Sequence, residues 1–296
     1  MPSLDPELVS AVKRGECLLF LGAGVHYPPQ AGSIFEAGYP PNVRPPLGKA
    51  LAKKLAADGP GPGQPSFIAQ QFPEESGYEE NLARCSALYE MARDRNQLVR
   101  YVTGEVDKGK LPSAAVRGLA ALPFRLIITT NYDQIFERAL GAKVPGREIY
   151  DPNRNRSRLA GRVPADADAP LLLKMHGCVT AQNSFVLTED DYVTFVMRMG
   201  EKDPYHPVPK VFKNQFLNWP TLFIGYGLAD FNLLLLLKTL SWDLDPAEII
   251  RSYAVSPRPD PVVQRCLGGQ VAFIVQDLWG FVPQLYQEVL GKDMPV

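Results

Sequence analysis

Six short, mainly apolar runs recur along the chain: Cys17 to Leu21, Phe124 to Thr129, Leu171 to Met175, Thr221 to Gly225, Ser252 to Ser256 and Val271 to Val275. The first reads Cys-Leu-Leu-Phe-Leu, with no polar residue to face solvent. Such uninterrupted runs fit strands buried on both faces, as parallel sheets require. Between them the apolar spacing changes to three and four residues. Helices are predicted over Asp5 to Lys13, with Asp5 as N-cap ahead of Pro6, and over Leu47 to Ala57, Tyr132 to Leu140, Phe231 to Leu240 and Leu278 to Leu290. Strands alternating with helices predict an α/β fold: a doubly wound, mostly parallel, Rossmann-like sheet whose ligands bind beyond the C-terminal strand ends.

Two stretches interrupt the alternation. After the first strand the chain is irregular and rich in Pro and Gly (Pro28, Pro29, Gly32, Gly38, Pro40, Pro41, Pro45, Pro46). A loop this long inside a compact domain usually serves a function. Further on, Gly59-Pro60-Gly61-Pro62-Gly63 marks a break, and roughly Ser66 to Gly109 is helical in pattern with no strand signal. Leu82, Cys85, Leu88, Tyr89 and Ala92 fall on one helical face. The expected division is a sheet domain over residues 1–58 and 110–296, with a helical insertion over 59–109 packed on it. No internal repeat is present.

Composition narrows the class without naming a function. The 296 residues carry 31 Lys and Arg against 32 Asp and Glu, a formal charge of −1, and 46% of them are hydrophobic. That balance excludes a disordered chain and argues against a protein built mainly to coat nucleic acid, leaving only local basic patches for such contact. Cys17, Cys85, Cys178 and Cys266 lie far apart, so no CxxC pair starts a zinc site and no disulfide framework is implied. Met1 to Arg14 lack the apolar core of a secretory signal, and the leucine run Leu233 to Leu237 is far shorter than the ~20 residues of a membrane span. The expectation is a cytoplasmic protein without a membrane partner.

Candidate chemistry sits where four strands end. Gly22-Ala23-Gly24 follows the first; its glycines would let backbone approach a pyrophosphate, although a tight turn explains them as well. The third glycine of a GxGxxG fingerprint is replaced by Tyr27. Thr129-Thr130-Asn131-Tyr132-Asp133 follows the second, and there Asn131 would ordinarily cap a helix. Lys174-Met175-His176-Gly177 places one of three histidines at a strand end, where a lone histidine is more often structural than catalytic. Gly225 to Asn232, reading GYGLADFN, makes a second glycine-rich turn with Asp230 as a plain helix cap. Each has an ordinary explanation alone; all four in this order do not arise readily by accident.

In that order the motifs resemble the sirtuin-like family, specifically the zinc-lacking branch that hydrolyses NAD in bacterial antiphage defence. The resemblance rests on GAG at Gly22 to Gly24, TTNYD at Thr129 to Asp133, KMHG at Lys174 to Gly177, LTEDDY at Leu187 to Tyr192 and GYGLADFN at Gly225 to Asn232. It implies that residues 1–58 and 110–296 bind NAD. It also implies roles. Gly22, Ala23 and Gly24 would cradle the pyrophosphate. Asn131 would position the attacking water beneath the nicotinamide ribose, and Asp133 would help hold the carboxamide, with Thr130 beside them. His176 would contact the ribose hydroxyls as base or orienting group, and Gly225, Tyr226 and Asp230 would border the adenosine. Those roles suit the chemistry, because an oxocarbenium-like centre needs a positioned water and a dry pocket more than a strong nucleophile.

The chain departs from the family in three places, one of them the acidic-aromatic-arginine stretch expected shortly after GAG, where this sequence has His26-Tyr27-Pro28-Pro29. Protein-deacylating sirtuins carry a zinc ribbon of two cysteine pairs, which these cysteines cannot form. Where many relatives have Ser after GAG, this chain has His26, read here as an exposed loop residue in preference to a phosphate donor. Five arginines between Arg147 and Arg162 (Arg147, Arg154, Arg156, Arg158, Arg162) read as a solvated loop rather than a grip on an acidic partner or a nucleic-acid backbone. Glu189, Asp190 and Asp191 read as the acidic first turn of a helix capped by Thr188 rather than as metal ligands.

The resemblance therefore implies a metal-independent NAD+ glycohydrolase with NAD as substrate, releasing nicotinamide and ADP-ribose and depleting cellular NAD during phage infection. An activity of that kind needs restraint, and no sensor segment is evident, so control is expected from a homo-oligomer or a separately encoded regulator such as a ring ATPase, a helicase or a guide-binding protein. Two rivals stand beside it: an NAD-dependent protein deacylase or ADP-ribosyltransferase, and a non-enzymatic module that assembles on sensing NAD or ADP-ribose.

Overall fold

The apolar runs build the sheet. The computed structural model describes residues 3–143, 145–153, 166–201, 206–226, 250–267 and 269–296. Its strands are β1 (Leu18–Leu21), β2 (Leu126–Thr129), β3 (Gly146–Ile149), β4 (Leu171–Lys174), β5 (Thr221–Ile224), β6 (Ser252–Val255) and β7 (Val271–Ile274). They form one sheet in the order β3-β4-β2-β1-β5-β6-β7, and every pairing among them is parallel. The doubly wound α/β architecture is thus present. All six predicted strands are found, each ending one or two residues inside its apolar run at most. From β1 the chain builds outward through β2 to one edge, then returns to β5 on the other side of β1. That reversal is the topological switch point, and the strands whose ends carry the four motifs, β4, β2, β1 and β5, are consecutive neighbours there.

Alternate residues of each strand feed two separate cores, as the two-residue side-chain period dictates. Leu19, Leu21, Ile127, Leu172, Leu222 and Ile224 pack beneath α1 (Pro6–Lys13), α6 (Ala114–Ala121), α7 (Ile135–Ala139) and the last helix (Leu278–Leu290). Leu18, Phe20, Leu126, Ile128, Leu171, Leu173 and Phe223 pack on the other face, against α8 (Glu189–Met199), α9 (Lys210–Asn218) and α10 (Pro261–Cys266). Full burial of such side chains contributes roughly 1.5–3 kcal/mol each before conformational entropy is counted.

A third core gathers α2 (Gly48–Ala57), α3 (Phe67–Gln71), α4 (Leu82–Ala92) and α5 (Arg95–Val106). Cys85, Leu88 and Tyr89, from the predicted face of α4, are buried in it, and Tyr132, Phe185 and Leu187 reach it from the sheet side. Asp5 caps α1 through the Glu7 N–H. Thr188 and Asp191 form a reciprocal capping box on α8, which accounts for the acidic run there.

Two expectations need correction, and a third is left untested. The strand β3 falls where the chain reads as an arginine-rich loop, so Arg147 lies in a strand; Arg154, Arg156, Arg158 and Arg162 lie outside the described residues. As an edge strand of sequence Gly-Arg-Glu-Ile, β3 is only half-buried and carries no apolar run to betray it. Helix α7 begins at Ile135 rather than Tyr132, because Thr130 to Asp133 are held in the site described below. The predicted helix Phe231 to Leu240 lies outside the described residues.

Candidate active site at four adjacent strand ends

The turns after β1 and β5 interlock. Gly22 N–H donates to Ile224 O at 3.0 Å, and Gly24 N–H donates to Gly225 O at 2.7 Å. A Cβ on Gly24 would stand 2.7 Å from Gly225 O, and one on Gly225, whose φ is +69°, would stand 2.1 Å from Val25 N. These glycines are required by the contact between the two turns themselves, whatever ligand they also serve. Ala23 to His26 then form a short 3-10 turn.

The β2 end is tied to β1. Thr129 Oγ1 donates to Leu21 O at 3.0 Å and accepts the Asn131 N–H at 3.0 Å. Asn131 is not the helix cap expected from its position: its Nδ2 donates to Gly22 O at 3.3 Å, and Asp133 Oδ1 instead accepts the Ile135 N–H at the start of α7. The carboxamide of Asn131 is therefore anchored to the first glycine turn.

His26 also differs from expectation. It is buried, not exposed, and its Nε2 lies 3.2 Å from Asp133 Oδ2 and 3.4 Å from Asn131 Nδ2. The 3-10 turn folds the ring inward, where a carboxylate compensates its burial. Burial itself works to raise the Asp133 carboxyl. The charge and hydrogen bond of His26, the Lys174 charge and the Ile135 N–H outweigh it and hold Asp133 at about 2. Lys174, buried on β4, donates to the Asp133 carbonyl and lies 3.6 Å from Glu137.

After β4, His176 is buried edge-on against Tyr192 and Phe195. Its Nε2 has no hydrogen-bond partner among the described residues. Burial pushes its pKa down to about 4, so the imidazole is neutral at physiological pH. Gly177, at φ +94°, lets the chain turn there; a Cβ would meet Ser184 O at 2.3 Å.

These ends enclose a cleft of about 550 Å³. Ala23, Gly24, Thr130, Asn131, Asp133, His176, Gly225 and Tyr226 line it, all of them expected site residues. Gly22 supports it from the loop contact beneath, and Asp230 lies outside the described residues. Sequence reasoning missed His26, Tyr192 and the wall supplied by Pro45, Pro46 and Leu47 at the close of the long loop. That loop is fixed from below: Tyr39 is buried beside Trp279, whose Nε1 donates to Tyr27 O at 3.1 Å. Apolar walls with a few convergent polar groups are the usual form of a small-molecule site, and the volume falls within the 300–1,000 Å³ typical of one. Among the described residues there is no cluster of His, Cys, Asp or Glu able to hold a metal, and no helix long and apolar enough to cross a membrane.

Comparison with known proteins agrees with the motifs. Residues 125–269 match the SIR2-like domain family. A curated relative, NAD(+) hydrolase ThsA of Enterococcus faecium, is 32% identical over 131 residues, which make up 43% of this chain and 25% of that protein. NAD(+) hydrolase ThsA of Bacillus cereus (strain MSX-D12) is 29% identical over 169 residues, 56% of this chain and 33% of that one. The chain thus spans a quarter to a third of the length of these relatives. A structure solved in work on the mechanism and regulation of Sir2 enzymes aligns with a TM-score of 0.42 at 14% identity, covering 97% of this chain and 98% of the other. In its strand-end motifs and over residues 125–269, the chain is similar to the SIR2-like domain family.

Proposed function

We propose that the cleft binds NAD and hydrolyses its nicotinamide–ribose bond, releasing nicotinamide and ADP-ribose. The observation that carries this reading is the convergence of Asn131 and a neutral His176, from two different strand ends, on one cleft floored by the interlocked glycine turns. The names of the curated relatives point the same way.

In this reaction the C–N bond breaks with its electron pair leaving on nicotinamide, and the ribose carbon becomes electron-poor. A water oxygen then bonds to that carbon and releases a proton to solvent, so NAD+ and water give nicotinamide, ADP-ribose and one proton. Asn131 holds the water, while the unpartnered Nε2 of His176 accepts a hydrogen bond from a ribose hydroxyl and stabilises the developing charge. A neutral imidazole suits the task, since an imidazolium would repel the oxocarbenium-like centre. The backbone of Ala23 and Gly24 approaches the pyrophosphate, and Tyr226 and Gly225 border the adenosine.

On this reading residues 59–109 are a helical insertion that closes one side of the cleft, through Leu82 and Val106. Its biological use would be depletion of NAD in antiphage defence, inside the cytoplasm, under control of self-assembly or a separately encoded regulator. The test is to incubate the purified chain with NAD, alone and with candidate regulators, and to follow nicotinamide release. Release by wild type that is lost in Asn131→Ala and His176→Ala supports the reading; equal release by the variants removes it.

A further inference from the structure

The buried ring of His26 has no evident task in the fold alone. Its hydrogen-bond accounting is informative. Asp133 Oδ2, 3.2 Å away, only accepts, so Nε2 carries a proton and donates to it. The neighbouring Asn131 Nδ2 at 3.4 Å is itself a donor, so this second approach is a packing contact of ring against carboxamide. Asn131 Nδ2 keeps its bond to Gly22 O. The ring therefore stands against the Asn131 carboxamide at contact distance. The other ring nitrogen, Nδ1, is buried and has no partner among the described residues, whereas buried groups that serve packing alone normally satisfy both nitrogens. His26 lines the cleft together with Asn131 and Asp133.

We propose that His26 is a positioning residue of this site: locked by Asp133, its ring holds the Asn131 carboxamide in the orientation the reaction needs. The proposal deepens the reading of the cleft as an NAD hydrolase site and rests on it. His26 acts through Asn131, so its loss lowers kcat more than it raises KM. Glutamine, whose amide N–H reaches toward the same carboxylate, restores part of what alanine removes.

Two measurements test this, one of them independent of turnover. In nuclear magnetic resonance spectra, the Asn131 side-chain amide signals are assigned by their absence in Asn131→Ala. They are expected to shift and broaden in His26→Ala, to move less in His26→Gln, and to move again in Asp133→Asn. Unchanged Asn131 signals in a folded His26→Ala protein overturn the proposal, whether or not NAD is cleaved. In the kinetic arm, His26→Ala is expected to lower kcat about 10–100-fold with KM changed less than about threefold, and His26→Ala/Asp133→Asn to be no worse than the poorer single variant. A kcat within twofold of wild type, or losses that simply multiply, also overturns it. Absence of NAD cleavage by wild type instead removes the hydrolase reading, and the spectra still decide whether His26 orders Asn131.

Discussion

His176 and Asp133 are buried ionisable side chains lining the cleft, and both make acid unfavourable to the fold. The His176 imidazole titrates near 6.5 in an unfolded chain and at about 4 in the folded one. Between those values the unfolded state binds more protons, so stability falls as pH drops from about 6.5 to about 4, by on the order of 3 kcal/mol. Asp133, held at about 2 against an ordinary 3.8, withdraws its own contribution at lower pH still, as its carboxylate becomes protonated. Thermal melting between pH 7 and pH 4.5 should therefore show a falling midpoint, with a shallower fall in His176→Gln. An equal slope in that variant would place the acid sensitivity elsewhere. At this scale the motif residues were legible in the sequence, because strand ends in parallel sheets are where chemistry collects. His26 was not: two residues beyond a glycine turn, next to Tyr27 and two prolines, it reads as exposed loop, and only the fold of the 3-10 turn shows the carboxylate that takes it in.

Glycines separate the elements that position the site from those that merely support it. Gly225→Ala must open the contact with Val25 N and abandon a φ of +69°, so a loss of at least about 3 kcal/mol is expected, along with ligand binding. Gly104, inside α5, has nothing within 4 Å of where its Cβ would stand. Gly104→Ala should stabilise by roughly 0.5–1 kcal/mol through helix propensity alone. Denaturant titration of the two variants checks both signs, and a tolerated alanine at position 225 would contradict the interlocked-turn account. Thr188→Ala removes half of the capping box on α8 and should cost about 1 kcal/mol by the same measurement. Element boundaries were readable wherever a buried apolar run or a capping residue marks them, as at β1, α1 and α8. They were unreadable at β3, whose half-buried edge position puts polar residues in the sheet, and at the start of α7, where Asn131 forgoes capping to bond Gly22.

Across the whole molecule, the sheet order brings the four motif-bearing ends side by side. Nothing in the sequence states that β4, β2, β1 and β5 are neighbours; the alternation of strands and helices implies a parallel sheet but leaves its order open. Once that order is in place, β2 and β5 diverge from β1 at the switch point, and the opening is walled by Pro45 to Leu47 on one side and by Tyr192 of α8 on another. The site is thus a property of topology, since residues as distant in the chain as Gly24, Asn131, His176 and Gly225 meet only because the strands carrying them are adjacent. We propose that this cleft cleaves NAD with Asn131 and His176. That claim is tested most directly by chromatographic measurement of nicotinamide and ADP-ribose formed from NAD by wild type, Asn131→Ala and His176→Ala, with each protein checked for folding. Equimolar release by wild type and its loss in both folded variants is predicted; NAD left intact by wild type under every condition, or consumed equally by all three proteins, would contradict it.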